Sequence, residues 1–161
     1  MHMLIKKLFI VLTVCFVFSI VSCKKDTRIP DGNVEISMLD SVNKLRASGC
    51  TCGGDLMPKV RALVWNTPLA KASEGHAKDM YNRNYFEHIS PDNTSPVQRA
   101  MQAGYQGNTV LENIGKGYKD IGAVLSAWKA SESHCKAMMD SASVEMGAYS
   151  YKGFWVQEFG R

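Results

Sequence analysis

The feature that most constrains this chain is an apolar run, Leu8 to Val21, ending in Ile20-Val21-Ser22-Cys23 and followed at once by Lys24-Lys25-Asp26. With Lys6 and Lys7 ahead of it, the run has the form of an export signal: a basic start, then an apolar stretch short for a membrane span. An aliphatic residue, two small or aliphatic residues and a Cys match a bacterial lipobox, which predicts cleavage before Cys23 and acylation of that cysteine. Several acyl chains on one residue insert enough hydrocarbon for stable anchoring. A plain secretory signal cut near Ser22, or an uncleaved anchor helix, is the alternative. Residues 1–22 are therefore leader, 23–34 a tether and 35–161 the folded domain. The product is exported and lipid-anchored on the periplasmic or surface face of a bacterial envelope, its partner there the membrane itself.

That reading decides what the cysteines do. Cys15 leaves with the leader and Cys23 carries lipid, so Cys50, Cys52 and Cys135 remain in an oxidising compartment where disulfides persist. Residues in a Cys-x-Cys pair bridge each other only with strain, so the expected bond joins Cys52 (or Cys50) to Cys135 and leaves one thiol over. A metal site built from Cys50, Cys52, His134 and Cys135 is the rival. Zinc sites more often space their cysteines by two residues or more, which favours the disulfide. Of 19 basic residues two lie in the leader, against 15 acidic ones, so the mature domain is close to neutral. It has no Lys/Arg stripe and no basic–aromatic interleaving, and nucleic acid is excluded as a partner.

Helix signals dominate the first two thirds of the mature chain. Ile36, Leu39, Val42 and Leu45 carry helical spacing up to Gly49. Cys50–Pro58 reads as a Gly- and Cys-rich loop. Thr67-Pro68 and Ser95-Pro96 each place a capping hydroxyl before a proline at the first helical position. The helix after Thr67 shows Leu69, Ala72, His76 and Met80 on one face, and Gly104 stops the helix after Ser95. Asp120 caps a fourth helix that carries Ile121, Val124, Leu125 and Trp128 and continues to Ser131. Strands are expected at Val110–Ile114, Val144–Tyr149 and Phe154–Phe159, with Tyr151-Lys152-Gly153 turning between the last two. This order predicts an α+β fold.

The chemistry-bearing residues lie in Tyr85-Phe86-Glu87-His88, Glu112-Asn113-Ile114 and the stretch from Trp128 to His134. A carboxylate inside an apolar strand, Glu112, must face a cleft or find hydrogen bonds. Trp128, Ser131 and Cys135 fall on one helical face, with His134 near its edge. Two imidazoles and a carboxylate could hold a divalent metal. Ser131 with a His and Glu112 could equally be nucleophile, base and orienter, and each residue could be a structural hydrogen-bonder. His76, on an apolar helix face, reads as a buried structural histidine. Asn113, Arg99, Tyr105, Gln157, Trp128 and Trp155 read as structural.

Taken in order, His76-Ala77-Lys78-Asp79-Met80, Tyr85-Phe86-Glu87-His88, Arg99 to Tyr105, Glu112-Asn113-Ile114, Trp128…Ser131…His134 and Trp155 to Gly160 resemble the CAP superfamily (cysteine-rich secretory proteins, antigen 5, pathogenesis-related 1), in its bacterial SCP-like branch. The resemblance implies a three-layer α-β-α sandwich with a central antiparallel sheet and an open cleft. In animal and plant members two His and two Glu line that cleft and can bind divalent metal. His88 and Glu112 match the first His and first Glu. Ser131 stands at the second Glu and Phe154 at the second His. His134, in the bacterial Trp-x-x-Ser-x-x-His pattern, could return an imidazole and restore a His88–Glu112–His134 set for zinc, calcium or magnesium. The implied function is a binding module for a small-molecule, lipid, glycan or protein ligand; the alternative is an envelope hydrolase using His88, Glu112 and His134, with metal or through Ser131.

Overall fold

The computed structural model describes residues 32–161 apart from Thr109, with side chains from Ser37 onward. The leader, Cys23 and most of the tether lie outside the described residues. Helix α1 spans Gly32–Ser48, so the last tether residues already belong to it. A hairpin of β1 (Cys50–Cys52) and β2 (Asp55–Met57) follows where a loop was expected. Then come β3 (Val64–Trp65), α2 (Thr67–Asn82), α3 (Pro96–Gln102), β4 (Val110–Lys116), α4 (Ile121–Ala130), α5 (Glu132–Met138), β5 (Glu145–Tyr151) and β6 (Phe154–Gly160).

The central sheet has the order β3-β5-β6-β4. Its three long strands are antiparallel, but the short β3 pairs with β5 in parallel. The sheet is therefore mixed, and β3 was missed because two residues carry no alternation to read. Side chains alternate across it, as strand geometry requires. Met146, Ala148, Trp155 and Phe159 face α1, α4 and α5 and form the larger core with Val42, Val124, Trp128 and Met138. Ile114, Phe154 and Val156 face α2, meeting Ala77 and Met80. Leu69 and Ala72 of α2 pack with Ala100 of α3 and Tyr105. Three layers result.

Local chemistry explains the helix ends. Asn66, rather than Thr67, caps α2 by accepting a hydrogen bond from the Leu69 N–H, with Pro68 in the first turn. Ser95 and Gln98 close a reciprocal capping box on α3, and Asp120 caps α4 through the Ala123 N–H. Between β5 and β6, Lys152 and Gly153 both take positive φ (50° and 82°), the two-residue turn that matches strand twist.

One sequence expectation fails at the α4–α5 junction. The helix does not run through Ser131: that residue is extended (φ −89°, ψ 125°) and separates two helices. Trp128, Ser131 and Cys135 therefore share no helical face. Glu132, the first residue of α5, pairs with Lys136 one turn on at 2.6 Å.

Candidate functional site

β4 is an edge of the sheet, and the residues singled out by sequence gather around it from both layers. Glu112 projects toward the α2–α3 layer and is almost fully buried (1 % side-chain exposure). A buried carboxylate needs partners, and it has them. His88 Nδ1 lies 2.7 Å from Oε1, and the Arg99 guanidinium donates to Oε2 at 2.7 Å. Arg99, itself buried on α3, also donates to Ser90 Oγ and to the carbonyls of Thr94 and His88. One guanidinium thus staples the α2–α3 connection to β4. Arg99 read as merely structural in the sequence, since nothing local ties it to a carboxylate thirteen residues on.

The hydrogen bond to Glu112 raises the pKa of the His88 imidazole, burial opposing it. His76, fully buried on α2, is shifted the other way by desolvation. Its Nε2 lies 3.0 Å from the Glu87 carbonyl, so Nε2 carries the proton and donates to it. Its Nδ1 faces the Tyr85 hydroxyl at 3.3 Å, and Tyr85 in turn donates to Asp79. Burial, then the Asp79 contact, push the Tyr85 phenol up to about 12.

Ser131 and His134 approach β4 from the opposite layer. Together with Phe86, Ile114, Lys116, Tyr118 and Trp128 they line a hollow of about 270 Å³. The Trp128 indole donates to the Ile114 carbonyl at 2.9 Å, and Asn113 donates both to the His134 carbonyl and to Gln157 Oε1. These bonds cover the strand edge and tie α5 to it. Burial lowers the His134 pKa, and nearby His88 lowers it further. Ser131 Oγ meets Ser133 Oγ at 3.4 Å and has no imidazole within hydrogen-bonding distance among the described residues. Phe154, at the second-His position, packs edge-on to Phe86 and Tyr81, with Lys116 Nζ 4.9 Å above its ring.

The metal implied by the resemblance does not fit this donor set. Both Glu112 oxygens are engaged, one by a guanidinium cation. Among the described residues the cluster whose ligand atoms all lie within 4.8 Å is Cys50, Cys52 and Cys135, not His88, Glu112 and His134. Of those three cysteines, Cys52 and Cys135 are joined in a disulfide.

One titratable group escaped the sequence reading. Glu158 on β6 is directly opposite Glu112 on β4, fully buried, and neither of its oxygens has a hydrogen-bond partner. Burial raises its pKa well above the ordinary carboxyl range, the charge of Glu112 adds to that, and the charge of Arg99 opposes it. The clue in the sequence was an acidic residue at an inward position of an aromatic strand.

Residues 39–159 match the CAP family, described as the Cysteine-rich secretory protein family. The chain is 36% identical over 102 residues to YkwD, an uncharacterized protein of Bacillus subtilis (strain 168), covering 62% of this chain and 40% of that one. It is 32% identical over 97 residues to YlbC, an uncharacterized membrane protein of the same organism, covering 60% and 28%. An extracellular protein containing a SCP domain from Bacillus anthracis str. Ames superposes with a TM-score of 0.73 at 27% identity, over 81% of this chain and 41% of that one. The chain thus spans less than half the length of each of these three.

Proposed function

Because this chain belongs to the cysteine-rich secretory protein (CAP) family, we propose that it is an exported, envelope-attached binding module whose cleft beside β4 holds an apolar, glycan or protein ligand. The carrying observation is that Glu112 is closed off: Arg99 and His88 take its two oxygens, making it a buried staple. A carboxylate held this way positions His88 at the cleft and is not available as a ligand to metal. The hollow next to it offers aromatic and aliphatic surface from Phe86, Ile114, Tyr118 and Trp128, with Lys116 and His134 as polar contacts. Apolar walls with a few placed polar groups are the ordinary make-up of a ligand site. Attachment to the envelope is supported by Ile20-Val21-Ser22-Cys23 and by the extracellular and membrane descriptions of the relatives.

A hydrolase needs a nucleophile or an activated water, and Ser131 stands without a base. The two readings separate in one experiment. Purified protein is incubated with labelled envelope glycan and peptide fragments and examined for retained and cleaved material by mass spectrometry. Retention without cleavage, lost in Phe86→Ser, is the expected result. Product masses that vanish in His88→Ala would establish the hydrolase instead.

A further inference from the structure

Cys50 and Cys52 stand two residues apart on β1, so both side chains leave the same side of the strand. That side faces Cys135 on α5. Cys52 and Cys135 form the disulfide, their Cα atoms 5.5 Å apart, and both are fully buried. The free thiol of Cys50 lies 3.7 Å from the Cys52 sulfur and 3.7 Å from the Cys135 sulfur, close to van der Waals contact with each. Cys50 is half-buried and lines a hollow of about 320 Å³ with Leu56, Met57 and Lys59. Solvent therefore reaches the sulfur cluster through Cys50.

We propose that Cys50, Cys52 and Cys135 form a thiol–disulfide exchange site in which Cys135 is shared and the bridge passes between Cys52 and Cys50. In the forward step the Cys50 thiolate attacks Cys135 Sγ. The Cys50–Cys135 bond forms, the Cys52–Cys135 bond breaks, and Cys52 leaves as a thiolate that takes up the proton Cys50 gave away. No electrons are gained or lost overall, so no external oxidant or reductant is needed. The three sulfurs form a triangle, and attack requires the Cys50 side chain to swing into line with the bond that breaks. Closure between Cys50 and Cys52 is the strained option, which leaves Cys135 as the common partner. His134 precedes Cys135, so exchange re-anchors the helix that lines the cleft.

The test is peptide mapping without reduction. Full-length protein is held at a series of pH values, quenched with excess N-ethylmaleimide and digested. Expected are label on Cys50 with a Cys52–Cys135 bridge, and a second population with label on Cys52 and a Cys50–Cys135 bridge. Before equilibrium, the rate at which the second population grows rises about tenfold per pH unit while most of the thiol is protonated, because the thiolate is the nucleophile. The Cys52→Ser variant, oxidised with glutathione disulfide, forms the Cys50–Cys135 bridge; Cys50→Ser keeps the Cys52–Cys135 bridge and takes no label at either of those two cysteines. Among Cys50, Cys52 and Cys135, label confined to Cys50 in the wild type at every pH overturns the proposal. So does a folded Cys52→Ser protein that keeps two free thiols; if that variant fails to fold, the wild-type map alone decides.

Discussion

Glu158 and Glu112 show how two like residues on neighbouring strands are given opposite surroundings. Glu112 has a guanidinium and an imidazole against its oxygens, whereas Glu158, directly across the register, has no hydrogen-bond partner among the described residues, and burial and the Glu112 charge outweigh the more distant Arg99 charge. A group whose pKa is raised on folding binds a proton that the unfolded chain has released, so its stability contribution is present below the ordinary Glu value and lost as pH rises. Wild type should therefore lose stability relative to Glu158→Gln above that value, with a slope approaching about 1.4 kcal/mol per pH unit until the folded-state pKa is passed. Urea denaturation of both proteins from pH 5 to 9 measures the difference; parallel curves would refute a neutral Glu158. For His88 the direction is also upward, from the Glu112 hydrogen bond. Its contribution is complete below the unfolded pKa and fades as pH rises through the folded one. An NMR titration should place His88 above an ordinary histidine and bring it back down in Glu112→Gln.

At the scale of elements, the tightest fit is α2 against the sheet. A Cβ on Gly147 of β5 would collide with the Ala70 backbone nitrogen and the Leu69 carbonyl carbon. Neither atom can move without moving the helix, so Gly147→Ala should cost about 3 kcal/mol or more. Thermal denaturation checks it, and an unchanged melting temperature would show that α2 does not pack so closely. The opposite layer is held by Arg46 on α1. Fully buried, it donates to the carbonyls of Arg61, Met138, Asp140 and Ser143, joining the segment before β3 to the connection between α5 and β5. Helix starts were legible because their determinants are local: Pro68, Ser95 with Gln98, and Asp120 act within one turn. The break at Ser131 was not, because α5 is fixed by remote contacts, its Cys135 bond to β1 and the Asn113 hydrogen bond to the His134 carbonyl.

For the whole molecule, the proposed anchor and the folded domain make separable predictions. Among the described residues no helix is long and apolar enough to cross a membrane, and the proposed anchor is carried by Ile20-Val21-Ser22-Cys23. Cys23→Ala should move the protein from the membrane fraction to the soluble fraction of disrupted cells without changing its melting temperature; persistent membrane association would remove the lipid-anchor reading. The sequence alone determined the CAP family, the strands that became β5 and β6 with the turn between them, the helix caps at Ser95 and Asp120, and a bridge to Cys135, because each is written in residue type and short spacing. Tertiary structure alone decided that Cys52 holds that bridge with Cys50 alongside. It also showed that Arg99 closes off Glu112, that Glu158 is buried opposite it, and that Ser131 Oγ meets Ser133 rather than any described imidazole. Those outcomes depend on distances between residues far apart in the chain, and on burial, which sets the charge a carboxyl or imidazole can carry.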